Sequence, residues 1–153
     1  MSRDKMLLRM ELRSDPEMLC AVRGALSHLA ERLGFPDEDG RAIVLAVDEA
    51  MTNIIRHSYG GQTERVIQAE IRSVTLDEDG LQGDALEIVL EDEGPAVDRE
   101  KLCGRALEDV RPGGLGLHFI RKSMDKVEFR RRNDRNQLRL VKMLRKKEVQ
   151  KGS

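Results

Sequence analysis

The chain has 153 residues, 39% of them hydrophobic and 36% charged, with a formal net charge of -1. That is the length of one ordinary domain with a real core, and the balance of charge excludes a general binder of polyanions or polycations. No apolar run approaches the roughly 18 residues of a membrane span, none follows the opening Met-Ser-Arg-Asp-Lys, so a cytosolic address is expected, and aromatic residues at 3% exclude a stacking platform for single-stranded nucleic acid.

Leu7, Leu8, Met10 and Leu12, broken by Arg9, Glu11 and Arg13, predict a strand with one buried face that ends at Ser14-Asp15-Pro16. Asp15 caps a first helix with Pro16 at its first position, and Leu19, Val22, Leu26, Leu29 and Leu33 recur at helical spacing until Gly34. Asp37 is the expected cap of a second helix running to about His57, with Ile43, Ala46, Val47, Ala50 and Ile54 as its buried stripe. Val66 to Leu76 and Leu86 to Leu90 predict an antiparallel pair of strands joined by a polar hairpin loop from Asp77 to Asp84. From Gly94 to Gly114 the pattern is lost except for a weak helical segment near Leu102 to Val110, and loops of that length are usually functional. Gly113-Gly114-Leu115-Gly116 opens a third helix through about Met124, and Val127 to Arg131 and Leu138 to Leu144 form a hairpin turning at Asn133-Asp134.

This order predicts an α+β fold: a two-layer α/β sandwich, its sheet mostly antiparallel and its helices on one face. One domain is expected over 1–146 and a disordered tail over 147–153. The strands and helices do not alternate as in a doubly wound nucleotide fold, and there is no Gly-x-x-x-x-Gly-Lys-Ser/Thr loop, so a phosphate site has to be built differently. Cys20 and Cys103 lie far apart with no Cys or His at metal-ligand spacing, which leaves them as reduced bystanders.

Three short stretches offer chemistry. Glu49 and Asn53, four residues apart, share one face of the second helix, where a carboxylate acting as proton acceptor sits beside an amide oxygen suited to a hard cation such as Mg²⁺; the plainer alternative is a solvated helix face. Asp92-Glu93-Gly94-Pro95 ends a hydrophobic strand, where Asp92 can accept from an exocyclic amine such as adenine's and Gly94 lets a flat ring approach; the alternative is an acidic turn. Gly113-Gly114-Leu115-Gly116 precedes a helix, and free amides at a helix start attract phosphate; the alternative is a hinge.

In this order, Glu49-Ala50-Met51-Thr52-Asn53-Ile54-Ile55-Arg56-His57, then Asp92-Glu93-Gly94-Pro95-Ala96-Val97-Asp98, then Gly113-Gly114-Leu115-Gly116-Leu117-His118-Phe119-Ile120 resemble the N box and two glycine boxes of the histidine-kinase-like ATPase superfamily of type II topoisomerases, histidine kinases and mismatch-repair ATPases. Within it the chain looks like the small anti-sigma-factor serine kinases, whose Thr-Asn pair stands here as Thr52-Asn53. The resemblance implies the superfamily's Bergerat-type sandwich with ATP and Mg²⁺ as cofactors and the loop from Pro95 to Pro112 as lid. It implies Glu49 as the base for the acceptor hydroxyl, Asn53 as the Mg²⁺ ligand and Asp92 as reader of the adenine amine. Gly94 and Pro95 would line the base, Gly113 to Leu117 the phosphates, and Arg111 could reach a phosphate, although an exposed lid arginine is the plainer reading. Where many members have a second glycine in the first glycine box, this chain has Pro95 or Ala96, a form the small serine kinases share.

By the same resemblance the chain is an ATP-dependent protein serine/threonine kinase that sequesters a sigma factor and phosphorylates a STAS-domain anti-anti-sigma protein, as a cytoplasmic homodimer that contacts neither nucleic acid nor membrane. Two rival readings are a non-catalytic nucleotide-binding partner-switch module and an excised histidine-kinase catalytic domain. Charge is uneven, with 14 Lys/Arg against 24 Asp/Glu in residues 1–120 and 13 against 4 in residues 121–153. Arg130, Arg131, Arg132 and Arg139 fall around the last hairpin, where basic residues are expected on the solvated face or guarding an edge; such asymmetry fits an acidic protein partner better than DNA.

Overall fold

Alternate residues of the inner strands are apolar, and they meet a layer of helices on one side of the sheet only. A computed structural model describes residues 4–96 and 114–145. The expected lid beyond Ala96, with Cys103, Arg111 and Gly113, and the expected tail lie outside the described residues. In chain order the elements are β1 (Lys5–Arg13), α1 (Leu19–Leu33), α2 (Asp37–Asn53), β2 (Val66–Glu78), β3 (Leu81–Asp92), α3 (Gly114–Ser123), β4 (Lys126–Arg132) and β5 (Arg135–Met143). The five strands lie in the order β1-β2-β3-β5-β4, and every neighbouring pair is antiparallel. The α+β sandwich expected from the sequence is the fold observed.

Register carries the hydrophobic pattern across the sheet. Ala69 faces Leu90 and Leu90 faces Leu138; one row on, Ile71 faces Ile88 and Ile88 faces Leu140. These side chains share a core with Leu26, Ile43, Val47 and Met51 of the helices, all at most 1% exposed. Burying each large side chain contributes about 1.5–3 kcal/mol, so the layers are held together by this shared face. The opposite face carries ion pairs, with Arg9 and Arg72 meeting Glu70 and Arg139 meeting Glu78, Glu87 and Glu128, beside a small second apolar cluster of Val74, Leu76, Ala85 and Val141.

Four expectations change in detail. Asp77 to Asp84 is not a loop, because β2 and β3 stay paired through Glu78 and Leu81 around a two-residue turn. Asp79 and Gly80 have φ of 49° and 80°, the tight hairpin turn that Asp-Gly favours. Asp37 is the first helical residue of α2 rather than its cap; Pro36 precedes it and no side chain caps the helix, so Asp37, Glu38 and Asp39 act through the helix dipole. Asp15 does accept from the Glu17 amide at 3.0 Å, but it caps a 3-10 turn, Pro16–Met18, that leads into α1. Arg139 is not on a solvated face: its side chain is only 13% exposed, enclosed by three carboxylates.

Candidate functional site

The last paired row of β3 sets Asp92 between Ile67 of β2 and Asn136 of β5, in phase with Leu86, Ile88 and Leu90 and so on the helix side of the sheet. A carboxylate there, 4% exposed, needs partners. Its Oδ1 accepts from the Gly94 amide at 2.9 Å, from Asn136 Nδ2 at 3.0 Å and from the Ser58 hydroxyl. Oδ2 accepts no hydrogen bond among the described residues.

Ser58 arrives by a change of helix type. After Asn53 the chain widens into a π-turn, Ile54–Ser58, in which the Tyr59 amide reaches back to the Ile54 carbonyl at 2.9 Å. Such turns reorient side chains at functional sites. Here it buries Ile54 and Ile55 in the core and swings Ser58 onto Asp92. Tyr59, 4% exposed, donates to the Val66 carbonyl at 2.5 Å and accepts from the Glu93 amide at 2.8 Å, with the Arg65 guanidinium 4.7 Å above its ring. Burial is the main cause that raises its hydroxyl pKa, against the Glu93 amide, which lowers it. Helix end and strand end are thus tied by two adjacent residues.

Beyond Asp92 the chain is held from β4 and β5. Asn136 Nδ2 donates to the Pro95 carbonyl at 2.8 Å, while Arg131 Nη1 donates to the Gly94 carbonyl at 3.1 Å and to Asn136 Oδ1 at 3.0 Å. Gly94 packs against the π-turn: a Cβ there would lie 1.9 Å from Ser58 Oγ and 2.8 Å from the Ser58 carbonyl oxygen. Glycine is therefore required by the protein's own packing, whatever ring approaches it.

Glu49 and Asn53 lie on α2 before the π-turn, both half-buried beside the apolar stripe. Among the described residues neither side chain has a hydrogen bond or an ion pair, whereas their neighbours are engaged: Asp48 pairs with Arg23 at 2.9 Å, and the Thr52 hydroxyl donates to the Asp48 carbonyl at 2.8 Å. Along α2 itself, Glu49 lies four residues, about 6 Å, back along the axis from Asn53, and the π-turn then carries the chain on to Ser58. Helix α3 packs on α2 and begins at Gly114, so the amides of Gly114, Leu115 and Gly116 fall in the first turn, where no intrahelical acceptor exists. Leu117 is 5% exposed and serves the packing of α3.

No group of three or more His, Cys, Asp or Glu among the described residues could hold a metal ion. A divalent cation would need Asn53 completed by oxygens of a bound phosphate and water, which is how Mg²⁺ is commonly held. Two hollows lie elsewhere: one of about 390 Å³ between α1 and the start of α2, lined by Phe35, Pro36 and Arg41, and one of about 470 Å³ beside Arg132 and Arg135. Neither is lined by Glu49, Asn53 or Asp92.

Sequence reasoning missed Ser58, Arg131 and Asn136. Asn136 carried a signal, since it falls in step with Leu138 and Leu140, and a polar residue in an inward-facing phase needs a buried partner. Ser58 carried none, because its direction depends on the π-turn.

The description "Histidine kinase-like ATPase domain" belongs to a family model that matches residues 12–142, and the chain belongs to that family, whose members use ATP. A serine-protein kinase RsbW from Halalkalibacterium halodurans is 32% identical over 138 residues, covering 80% of this chain and 75% of the relative. Within the family, the chain is thereby one of the anti-sigma-factor serine/threonine-protein kinases. Two solved structures share the fold at low identity. The SiaB–SiaC complex from Pseudomonas aeruginosa matches at a TM-score of 0.59 and 18% identity, covering 89% of each chain. The RsbU and RsbW domains of a Mycobacterium tuberculosis protein match at a TM-score of 0.58 and 16% identity over 90% of this chain, which spans only 33% of that longer one. No helix among the described residues is long and apolar enough to cross a membrane.

Proposed function

We propose that the chain transfers the γ-phosphoryl group of Mg·ATP to a serine of a STAS-domain anti-anti-sigma protein, and holds a sigma factor in the alternate state of the switch, as a cytoplasmic homodimer. The observation that carries the chemistry is that Glu49 and Asn53 share a helix face with no partner among the described residues, on the helix whose far end is locked to Asp92. With a base at Asp92, Asn53 and then Glu49 would be the polar side chains farther back along α2 available to the phosphate end. The amides of Gly114 and Gly116 would take phosphate oxygens, with Gly94 and Pro95 beside the base; Arg111 and Gly113 would complete the phosphate side.

Asn53 would hold Mg²⁺ together with the bound phosphate, and the cation would supply charge neutralisation. Glu49 accepts the proton of the acceptor hydroxyl as that oxygen bonds to the γ-phosphorus and the bond to the ADP oxygen breaks. Phosphoryl transfer asks mainly for positioning, which α2 provides by carrying both groups on one rigid element.

Glu49→Ala should leave ATP affinity within a few-fold while single-turnover transfer falls by about 10² to 10⁴, the usual contribution of a positioned base. Asn53→Ala should weaken Mg²⁺-dependent ATP binding as well as transfer. The assay pairs γ-labelled Mg·ATP and a panel of STAS proteins with nucleotide titrations. Transfer at the unaltered rate by Glu49→Ala would remove the proposed base, and absence of any labelled serine would leave the protein a sequestering module.

A further inference from the structure

The three donors on Asp92 do more than satisfy a buried carboxylate. All three converge on Oδ1, and they come from three parts of the chain: the π-turn after α2, the Gly94 amide and β5. Each is fixed from behind. Arg131 donates to Asn136 Oδ1, which sets the amide so that its NH₂ faces Asp92 and Pro95. Gly94 is held through its carbonyl by Arg131. Ser58 is wedged so close to Gly94 that no Cβ fits between them.

A carboxylate is symmetric, so without such a frame its two oxygens would exchange roles freely. With it, one end is saturated and the other is the acceptor that a ligand meets. We propose that Ser58 and Asn136, with the Gly94 amide, are positioning residues that fix the group at position 92 and thereby set the choice between 6-amino and 6-oxo purines. The inference rests on reading Asp92 as the acceptor for the base. Two members of the frame, the Gly94 amide and the Asn136 NH₂ oriented by Arg131, can only donate to whatever side chain stands at 92, and the Ser58 hydroxyl can turn to donate beside them, so the frame favours one orientation of an amide there. In Asp92→Asn the amide oxygen then faces the three donors and the NH₂ points outward, which turns the site from an acceptor for a 6-amino group into a donor for a 6-oxo group.

The test is calorimetric titration of the full chain with Mg·ATP and with Mg·ITP, whose base carries an oxygen in place of the amine. The unaltered protein should prefer ATP, and Asp92→Asn should invert the preference toward ITP. In Asn136→Ala and Ser58→Ala, ATP affinity should fall about three- to ten-fold, the worth of a hydrogen bond that is no longer held in line, while ITP affinity stays unchanged. A purely structural role would weaken both nucleotides together, and that result, or no loss for either, would overturn the inference. If Asp92→Asn leaves the ATP-to-ITP ratio untouched, the base assignment fails and takes the inference with it. If Asp92→Asn shifts the ratio and neither Asn136→Ala nor Ser58→Ala does, the inference alone fails. Should Asn136→Ala not fold, Ser58→Ala, which removes a single oxygen from a half-buried site, carries the same comparison.

Discussion

At position 94 a side chain has nowhere to go. In Gly94→Ala the new methyl would stand 1.9 Å from a hydroxyl that can rotate away and 2.8 Å from a backbone oxygen that cannot. The variant should lose about 1–3 kcal/mol of stability, the usual cost of overpacking, read by thermal unfolding. Adding Ser58→Ala should restore only part of it, because the carbonyl contact remains; full restoration would show that the hydroxyl alone sets the fit. Asp92 and Gly94 were legible in the sequence because the end of a hydrophobic strand is where a polar site can be mounted, and both lie within three consecutive residues. Ser58 was not legible: in an unbroken α-helix it would point elsewhere, and nothing in Ile54-Ile55-Arg56-His57 announces the wider turn.

The same limit holds for charges on elements. Glu78, Glu87, Glu128 and Arg139 come from four strands, and only the register brings them together, so the basic hairpin looked like a solvated edge. Hydrogen bonds from Arg139 and then Lys126 pull the Glu78 carboxyl down from 4.5 to about 2, and the partners shift the other way, Lys126 raised chiefly by its bond to Asp79. A depressed carboxyl pKa contributes stability above its unfolded value and loses it as the pH falls toward the folded one. Glu78→Gln should therefore cost stability at pH 7, about 1 kcal/mol or less given that its side chain is 35% exposed, and the difference from the unaltered protein should close between pH 4.5 and about 2. Denaturant titrations across that range check it; a difference that persists at pH 2 would assign the loss to packing. The turn at Asp79-Gly80 was available from local chemistry and was obscured by the acidic run around it, whereas Asn133-Asp134 stands between the apolar residues Val127 and Phe129 on one side and Leu138 and Leu140 on the other, and the turn lies there.

β3 is paired on both sides along the rows that form the core, while β1 and β4 are each paired on one side only among the described strands. Native-state hydrogen exchange should be slowest at Leu86, Ile88 and Leu90 and faster in β1 at the amides turned away from β2; equal protection in β1 would mean that its open edge is covered. Element types and their order were legible because helical and alternating periodicities are long here. The strand order was not, since nothing local says that β5 enters between β3 and β4. That arrangement bears on synthesis. Asp92 precedes the end of β5 by 51 positions, roughly 3–10 s of translation at about 5–20 residues per second. Through that interval the nascent chain carries a finished β3 whose next edge is bare and an aspartate still short of the donor from Asn136. The hydrogen-bonded frame around Asp92 is thus completed only late in synthesis, and a ribosome stalled before β5 would display an open sheet with Asp92 lacking its Asn136 donor.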